Sequence, residues 1–334
     1  MSRDEHETAL LARAAVFAKC PTLAFLTAEN LREIAATEGV DFATALLFDR
    51  VKRSEHHAPF IERIDGFRIV NTANGANEAG RNITIAIVPA AFYKEKPHSG
   101  ADGRVVREAA IRMSFRCELI PLRSTGTLAE NSTILLGWLK QHTAVKIILV
   151  SLCKGGADVK FALGTSGAET RFANVQAWVN ICGTLSGSPV AQWLLATKLR
   201  SFATWLFLKS GGHDFEFLQE IVPSPSGPLS GPVRLLPMMQ LINIVGFPLR
   251  RHLTNGFMRR CHQFISPQGP NDGGVLLSEA CRLPGFIYPV WGADHYLRPD
   301  ERVQQIIRAV LNYLTSEPAP RDAAHSPEEP CRAN

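Results

Sequence analysis

Between residues 83 and 183 the chain alternates short runs of β-branched residues with segments of helical periodicity. The runs that predict strands are ITIAIVP, RCELIPL, KIILVS and VQAWVNICG, and the helical segments between them are GRVVREAAIRMSF, NSTILLGWLKQH and GADVKFALG. Strands that alternate with helices are joined by right-handed crossovers and form a mostly parallel sheet. Because the runs are apolar throughout, we expect helices on both faces of that sheet. The pattern therefore predicts an α/β fold.

A helical segment precedes the alternation. Residues 1–65 carry apolar residues at helical spacing, and Thr27 and Asn30 form a helix start signal. At residue 66 the pattern changes, because GFRIV predicts a short strand and NTANGANEAG a turn. Residues 1–65 are therefore predicted to form a helical N-terminal extension. It could pack against the sheet, cover the site or hold a partner subunit.

The alternation is interrupted after Gly183. Residues 184–258 are rich in Leu, Trp, Phe and Pro and contain helix-like pieces, which predict a helical cap whose aromatic residues form its core. The strand pattern resumes with RCHQFIS and FIYPVWG, and DERVQQIIRAVLNYL predicts a last helix. The α/β core is therefore assigned to residues 66–183 and 259–315. Residues 316–334 are polar and Pro-rich, which predicts a disordered tail.

Composition excludes several classes of protein. The net charge is only +5, without a dense cluster of Lys and Arg among aromatics, so nucleic-acid binding is not expected. The seven cysteines form no C-x-x-C pair, which argues against a disulfide framework or structural zinc and favours the reducing cytoplasm. The first residues do not resemble a secretory signal. The most apolar stretch, VAQWLLATKLRSFATWLFL, is interrupted by Lys198 and Arg200, so no membrane span is predicted.

Three reactive side chains follow predicted strands or turns. Cys153 follows KIILVS, Asp272 lies in ISPQGPNDGG, and His295 lies in PVWGADHYL. Because an open parallel sheet binds ligands at the carboxyl ends of its strands, these side chains are expected to meet at one edge. Their order along the chain is nucleophile, acid, base.

With these residues the chain resembles the α/β-hydrolases over residues 66–315. That family carries a G-x-S-x-G turn between a strand and a helix, followed by the acid and then the histidine. Here the turn is Ser151-Leu152-Cys153-Lys154-Gly155. Its cysteine is similar to that of dienelactone hydrolases and polyhydroxyalkanoate synthases, whereas Ser151 departs from the first glycine. The resemblance implies a Cys153–His295–Asp272 triad.

The resemblance also implies an oxyanion hole. One donor would be the amide of Lys154, directly after the nucleophile, and the other that of Ala90 or Ala91, after the IAIVP strand, although a His-Gly pair is missing there. At a helix N-terminus the partial positive charge would stabilise a thiolate on Cys153, and Lys154 would add a cation. Gly155 would let the backbone approach closely.

Each assignment has an alternative. Cys153 could be a buried core cysteine, and Asp272 could belong to a simple turn, with Asp294 as a rival acid. His213 and Asp214 form a second pair, but they are expected on an exposed loop.

The function predicted is hydrolysis of an ester, lactone or thioester of a fairly apolar small acyl substrate, without metal or organic cofactor. An acyltransferase resembling polyhydroxyalkanoate synthases and a non-catalytic binding protein are the alternatives. The oligomeric state is left open.

Overall fold

The computed structural model describes residues 3–70, 82–96, 99–298 and 300–316. Six strands form one parallel sheet in the order β2-β1-β3-β4-β5-β6. The strands are β1 Ile83–Val88, β2 Arg116–Leu119, β3 Lys146–Leu152, β4 Val175–Ile181, β5 Gln240–Phe247 and β6 Phe286–Trp291. The predicted parallel α/β architecture is therefore confirmed.

Fourteen α-helices accompany the strands in the part of the chain described. They are α1 Arg3–Ala15, α2 Ala28–Glu38, α3 Val40–Lys52, α4 Ala58–Val70, α5 Arg104–Arg112, α6 Leu128–Gln141, α7 Lys154–Leu163, α8 Ala168–Arg171, α9 Pro189–Leu195, α10 Lys198–Ser210, α11 Glu216–Glu220, α12 Gly256–Ile265, α13 Leu277–Ala280 and α14 Asp300–Thr315. Within these described ranges, no helix combines the length and the apolarity that crossing a bilayer requires.

The strand order reverses between β1 and β3. From β1 the chain moves outward to β2, then returns to β3 on the other side of β1 and continues in order to β6. Every residue of β1 is buried, as is expected for a strand with helices on both faces. A crevice forms where the strand order of an open parallel sheet reverses, and ligands bind there. Cys153 directly follows β3, one of the two strands between which the order reverses.

The N-terminal helices are part of the main core. Helix α3 packs against β5 and β6, and the ring of Phe48 lies 5.5 Å from that of Phe247 and 4.8 Å from that of Trp291. Helix α4 packs against α14 and β6. Of the three roles open for residues 1–65, packing against the sheet is therefore observed.

The predicted strand GFRIV is wrong, because these residues complete α4. Phe60, Ile61 and Ile64 are buried at helical spacing, and they bring the following turn into the helix. The predicted turn NTANGANEAG, at residues 71–80, and the predicted disordered tail beyond Ser316 lie outside the described residues.

The insertion after β4 departs from an all-helical cap. Helices α9, α10 and α11 are present, but residues 240–247 form β5 within the sheet, inside the range predicted as cap. The run QLINIVGF has no polar alternation because both of its faces are buried, and such a run resembles a buried helix in sequence.

The segment RCHQFIS was predicted as a strand and belongs to α12 instead. Met258, Cys261 and Ile265 are buried at intervals of three and four residues, and the side chain of Asn255 accepts hydrogen bonds from the first helical amides. Asp272 therefore follows a helix, and the strand that precedes it is β5.

Candidate active site

Cys153 occupies a sharp turn between β3 and α7. Its backbone has φ 46° and ψ −116°, a strained conformation for a residue with a side chain. Its amide donates to Ile181 O at 3.1 Å, and its carbonyl accepts from Gly156 N and Thr184 N. Cys153 is only partly buried, whereas Cys20, Cys182, Cys261 and Cys281 are buried. The strain and the exposure argue against the core-cysteine alternative.

The glycines after Cys153 allow close backbone packing. A Cβ on Gly155 would lie 2.6 Å from the carbonyl oxygens of Val88 and Pro89, and one on Gly156 would lie 2.6 Å from Asn180 Oδ1. Helix α7 therefore starts directly against the end of β1. This is the close backbone approach predicted for Gly155.

Ser151, which stands in place of a glycine, is fully buried below the turn. Its hydroxyl accepts a 2.7 Å hydrogen bond from Trp178 Nε1 and donates to Asn180 Oδ1 at 3.2 Å. The side chain of Asn180 donates in turn to Asn243 Oδ1 at 3.0 Å. The departure at Ser151 is thus accommodated by polar partners on β4 and β5.

Asp272 and His295 form a buried pair. His295 Nδ1 lies 2.9 Å from Asp272 Oδ2, and the amides of Gly274 and Val275 each donate to Asp272 Oδ1 at 2.8 Å. Both residues are at most 6% exposed. Because two amides donate to Oδ1, the carboxylate is fixed in an orientation in which Oδ2 contacts the imidazole.

The side chain of Cys153 is the second group that acts on the imidazole of His295. Because Nδ1 is bound to Asp272, Nε2 is the ring nitrogen left to exchange a proton with another group. Burial opposes the charged ring, but Asp272 and Cys153 together raise the pKa of His295 well above its ordinary value. Both partners therefore stabilise the imidazolium that forms when His295 accepts a proton.

The side chain of Lys154 does not supply the cation that we expected beside the thiol. It is 1% exposed, and its ammonium donates to Asp158 Oδ1 at 2.6 Å within α7. Asn131 on α6 donates to the second carboxylate oxygen at 3.1 Å. Burial raises the pKa of Asp158, while Lys154 acts in the opposite direction. This pair anchors the first turn of α7 to α6.

Ala90 and Ala91 are the alternatives for the oxyanion donor after β1, and the amide of Ala90 already has a hydrogen-bond acceptor. Its amide donates to Ala101 O at 2.9 Å, and the amide of Phe92 donates to Ser124 O at 3.2 Å. Ala91 lies between them, partly exposed, and its amide forms no backbone hydrogen bond with the residues described. Lys154 and Ala91 therefore remain as candidate oxyanion donors, and Ala90 does not.

The rival residues have other partners. Asp294 accepts from Tyr296 N at 2.9 Å and closes the turn after His295. Asp214 pairs with Arg123 at 2.7 Å, and the His213 ring packs edge-on against Phe92 at 5.1 Å. None of these contacts connects the rivals to Cys153.

Two residues near the pair were missed from the sequence. The ring of Tyr296 lies edge-on to that of His295 at 5.6 Å, and burial raises the pKa of its phenol. Cys182, also at positive φ, has its sulfur within 4.8 Å of ligand atoms of Asp272 and His295. Cys182 has no sequence signal, because it comes near the pair only when β4 lies beside β5 in the sheet. Tyr296 directly follows His295, and that adjacency could have identified it.

Cys182, Asp272 and His295 are the one trio of potential metal ligands within the part of the chain described. They do not suit a metal well. Burial, followed by the charge of Asp272, raises the pKa of the Cys182 thiol. The carboxylate of Asp272 is already occupied by two amides and the imidazole. A metal would require a thiolate at Cys182 and would break the pair.

A cavity of about 610 Å³ lies beside the loop that follows β4. Its walls include Gly183, Leu185, Gly187, Val275 and the buried Lys160. Cys153 is not among its lining residues, but Thr184, between two of them, donates to the Cys153 carbonyl. The cavity thus adjoins the turn without containing the sulfur.

No family model matches the sequence, and no curated protein matches it either. Solved structures do match. A metagenomic carboxyl esterase, MGS0156, is similar at 18% identity and a TM-score of 0.55, over 72% of this chain and 77% of that chain. The mature Bacillus licheniformis lipase BlEst2 has 19% identity and a TM-score of 0.46, over 73% of this chain and 93% of that chain. The strand order and the similarity to the carboxyl esterase agree with the resemblance noted in the sequence around Cys153. The chain has the α/β-hydrolase fold.

Proposed function

We propose that the protein is a hydrolase that cleaves an ester, lactone or thioester through Cys153, His295 and Asp272. The observation that carries the proposal is the 2.9 Å contact of His295 Nδ1 with Asp272 Oδ2, together with the strained, partly exposed turn that holds Cys153 after β3. The side chain of Cys153 also acts on the His295 imidazole and raises its pKa. Nucleophile, base and orienting acid in contact are the requirement for covalent acyl transfer.

In the first half of the reaction His295 takes the proton of the Cys153 thiol. The sulfur attacks the substrate carbonyl, and the electron pair of the C=O bond moves to the oxygen. The amides of Lys154 and Ala91 would bind this oxyanion. When the tetrahedral intermediate collapses, the bond to the leaving alkoxide or thiolate breaks and His295 protonates it. The product is a thioester between the acyl group and Cys153.

In the second half His295 removes a proton from water, and the resulting hydroxide attacks the thioester. Collapse releases the carboxylic acid and restores the thiol with the proton from His295. Asp272 stays ionised throughout and stabilises the imidazolium in both halves. The reaction needs no group beyond substrate and water.

An apolar acyl substrate is supported by the surroundings of the sulfur. Ala90, Tyr93, Leu119 and Leu152 pack together with Cys153 in a small apolar cluster. The similar solved structure is named a carboxyl esterase, so carboxylic esters are the first substrates to test.

The decisive experiment is intact-protein mass spectrometry after exposure to p-nitrophenyl esters and to short and medium acyl thioesters. We expect an added acyl mass on Cys153, and none on Cys153→Ala. Cys117→Ala is the matched control, because Cys117 is the other partly exposed cysteine described and burial raises its pKa to about 11. Release of free acid indicates hydrolysis, and transfer to an added alcohol indicates the acyltransferase alternative. If none of these substrates acylates the protein or is turned over, the proposal is refuted and the binding-protein alternative is left.

A further inference from the structure

Helix α10 carries its large apolar side chains on the outside of the protein. Five residues of this helix are exposed: Leu199 at 79%, Phe202 at 59%, Trp205 at 40%, Leu206 at 53% and Phe207 at 68%. The predicted place of the insertion's aromatic residues, in the core of the cap, is wrong for Phe202, Trp205 and Phe207. Single exposed apolar residues are ordinary, but five on one 13-residue helix form a patch.

The exposure follows from the rotation of the helix. Leu199, Phe202 and Leu206 are spaced by three and four residues, so they form one stripe, and Trp205 and Phe207 lie on either side of it. Leu208, on the opposite side, is the one buried residue of the helix. Most of the apolar surface of α10 therefore faces away from the protein.

Helix α12 also exposes aromatic residues. It exposes Phe257 at 62% and Phe264 at 42%, and the Phe264 ring stacks on Trp193 of α9 at 4.1 Å. The guanidinium of Arg200 on α10 covers Trp193 at 4.6 Å. These contacts link α10, α9 and α12. We call the exposed apolar residues of α10 and α12 the cap ridge.

The two helices of the cap ridge carry exposed basic residues. Lys198 and Lys209 stand at the two ends of α10, and Arg259 and Arg260 are exposed on α12. The sequence contains no Asp or Glu between residues 170 and 213, nor between residues 221 and 271. Both helices and the turns next to them therefore lack acidic side chains.

We propose that the cap ridge binds the surface of an anionic phospholipid membrane. Aromatic and leucine side chains of an interfacial helix enter the boundary between headgroups and acyl chains, and lysines and arginines beside them pair with anionic headgroups. A second copy of this chain fits less well. In a symmetric dimer the basic residues of the two ridges would lie close to one another and repel. The proposal does not depend on Cys153, so it is tested on the Cys153→Ala protein.

The test is flotation with phosphatidylcholine vesicles, with and without about 30% phosphatidylglycerol. We expect binding to the anionic vesicles that weakens with added salt. Leu206→Ser with Phe207→Ser should lower the partition coefficient about tenfold or more, since both side chains lose their burial in lipid. Lys198→Gln with Lys209→Gln should reduce binding to anionic vesicles and its dependence on salt.

Matched controls distinguish binding through the cap ridge from nonspecific adsorption to vesicles. Ile111 on α5 is 60% exposed, and Lys140 on α6 is exposed, so Ile111→Ser and Lys140→Gln should bind as the parent protein does. Thermal melting establishes that each variant is folded. A second readout is quenching of tryptophan fluorescence by brominated lipid, which Trp205→Phe should diminish. The proposal is overturned if the parent protein remains unbound on anionic vesicles, or if it is a dimer that the α10 substitutions convert to a monomer.

Discussion

His295 and Asp272 are connected twice, once through their side chains and once through their backbones. His295 Nδ1 lies 2.9 Å from Asp272 Oδ2, and the His295 amide donates to the Asp272 carbonyl, also at 2.9 Å. The two residues are 23 positions apart, and β6 lies between them. The double connection joins the segment between α12 and α13 to the loop after β6 and fixes the orientation of the imidazole.

Replacing Asp272 with Asn should lower kcat by about 10³- to 10⁴-fold on any ester that the wild type hydrolyses. An amide at this position can donate to Nδ1, which favours the tautomer that presents a proton to the sulfur. Steady-state kinetics measures the loss. Asp294→Asn is the control, because Asp294 binds only amides of its own turn, and its kcat should stay within about threefold of wild type. Equal losses in both variants would contradict the role of Asp272.

The stability difference between wild type and Asp272→Asn should depend on pH. Although burial opposes it, Asp272 and Cys153 raise the pKa of His295 well above its ordinary value, so the folded protein holds this proton to a higher pH than the unfolded chain. The stabilisation is complete below about pH 6.5 and is lost as pH rises through the raised folded-state pKa. Urea unfolding from about pH 6 to 9 should show the difference shrinking, whereas a constant difference opposes this account.

The buried pair of Lys154 and Asp158 should show strong coupling. Asp158→Asn removes the charge that neutralises a 1% exposed lysine, which should cost about 3 kcal/mol of unfolding free energy. Adding Lys154→Met removes the unpaired cation and should restore about 2 kcal/mol of it. Denaturant unfolding of the double-mutant cycle measures both. The exposed pair of Arg123 and Asp214 is the control, because Asp214→Asn should cost less than about 1 kcal/mol. Additive effects in the buried pair would rule the coupling out.

Gly155→Ala should damage both folding and activity. The added Cβ would lie 2.6 Å from two backbone oxygens at the end of β1, so the turn or the Ala91 segment has to move. We expect a loss of about 1–3 kcal/mol and a lower kcat/KM. Gly137→Ala on the exposed side of α6 is matched to it, because its Cβ would meet nothing within 4 Å. That variant should be neutral or more stable by up to about 1 kcal/mol. The same loss in both variants would refute the packing argument.

Local patterns were enough to predict the parallel sheet, the turn at Cys153 and the proximity of Asp272 to His295. Each depends on residues near one another in sequence, or on the rule that parallel strands bring their carboxyl ends to one edge. The strand β5 was missed because a strand buried on both faces has no alternation to distinguish it from a buried helix. Helix α12 carried an amphipathic spacing and an Asn255 cap that could have identified it.

Other features depend on contacts between distant parts of the chain. The Lys154 ammonium lies against Asp158 and not the thiol, and the Ala90 amide is engaged by Ala101, because α6 and the loop after β1 provide partners there. Cys182 comes near Asp272 and His295 only when β4 takes its place in the sheet. The aromatic residues of α10 have the composition of a core, but the rotation of that helix against α9 turns them outward. Periodicity indicates which residues share a face of a helix, whereas packing against neighbouring elements determines where that face points.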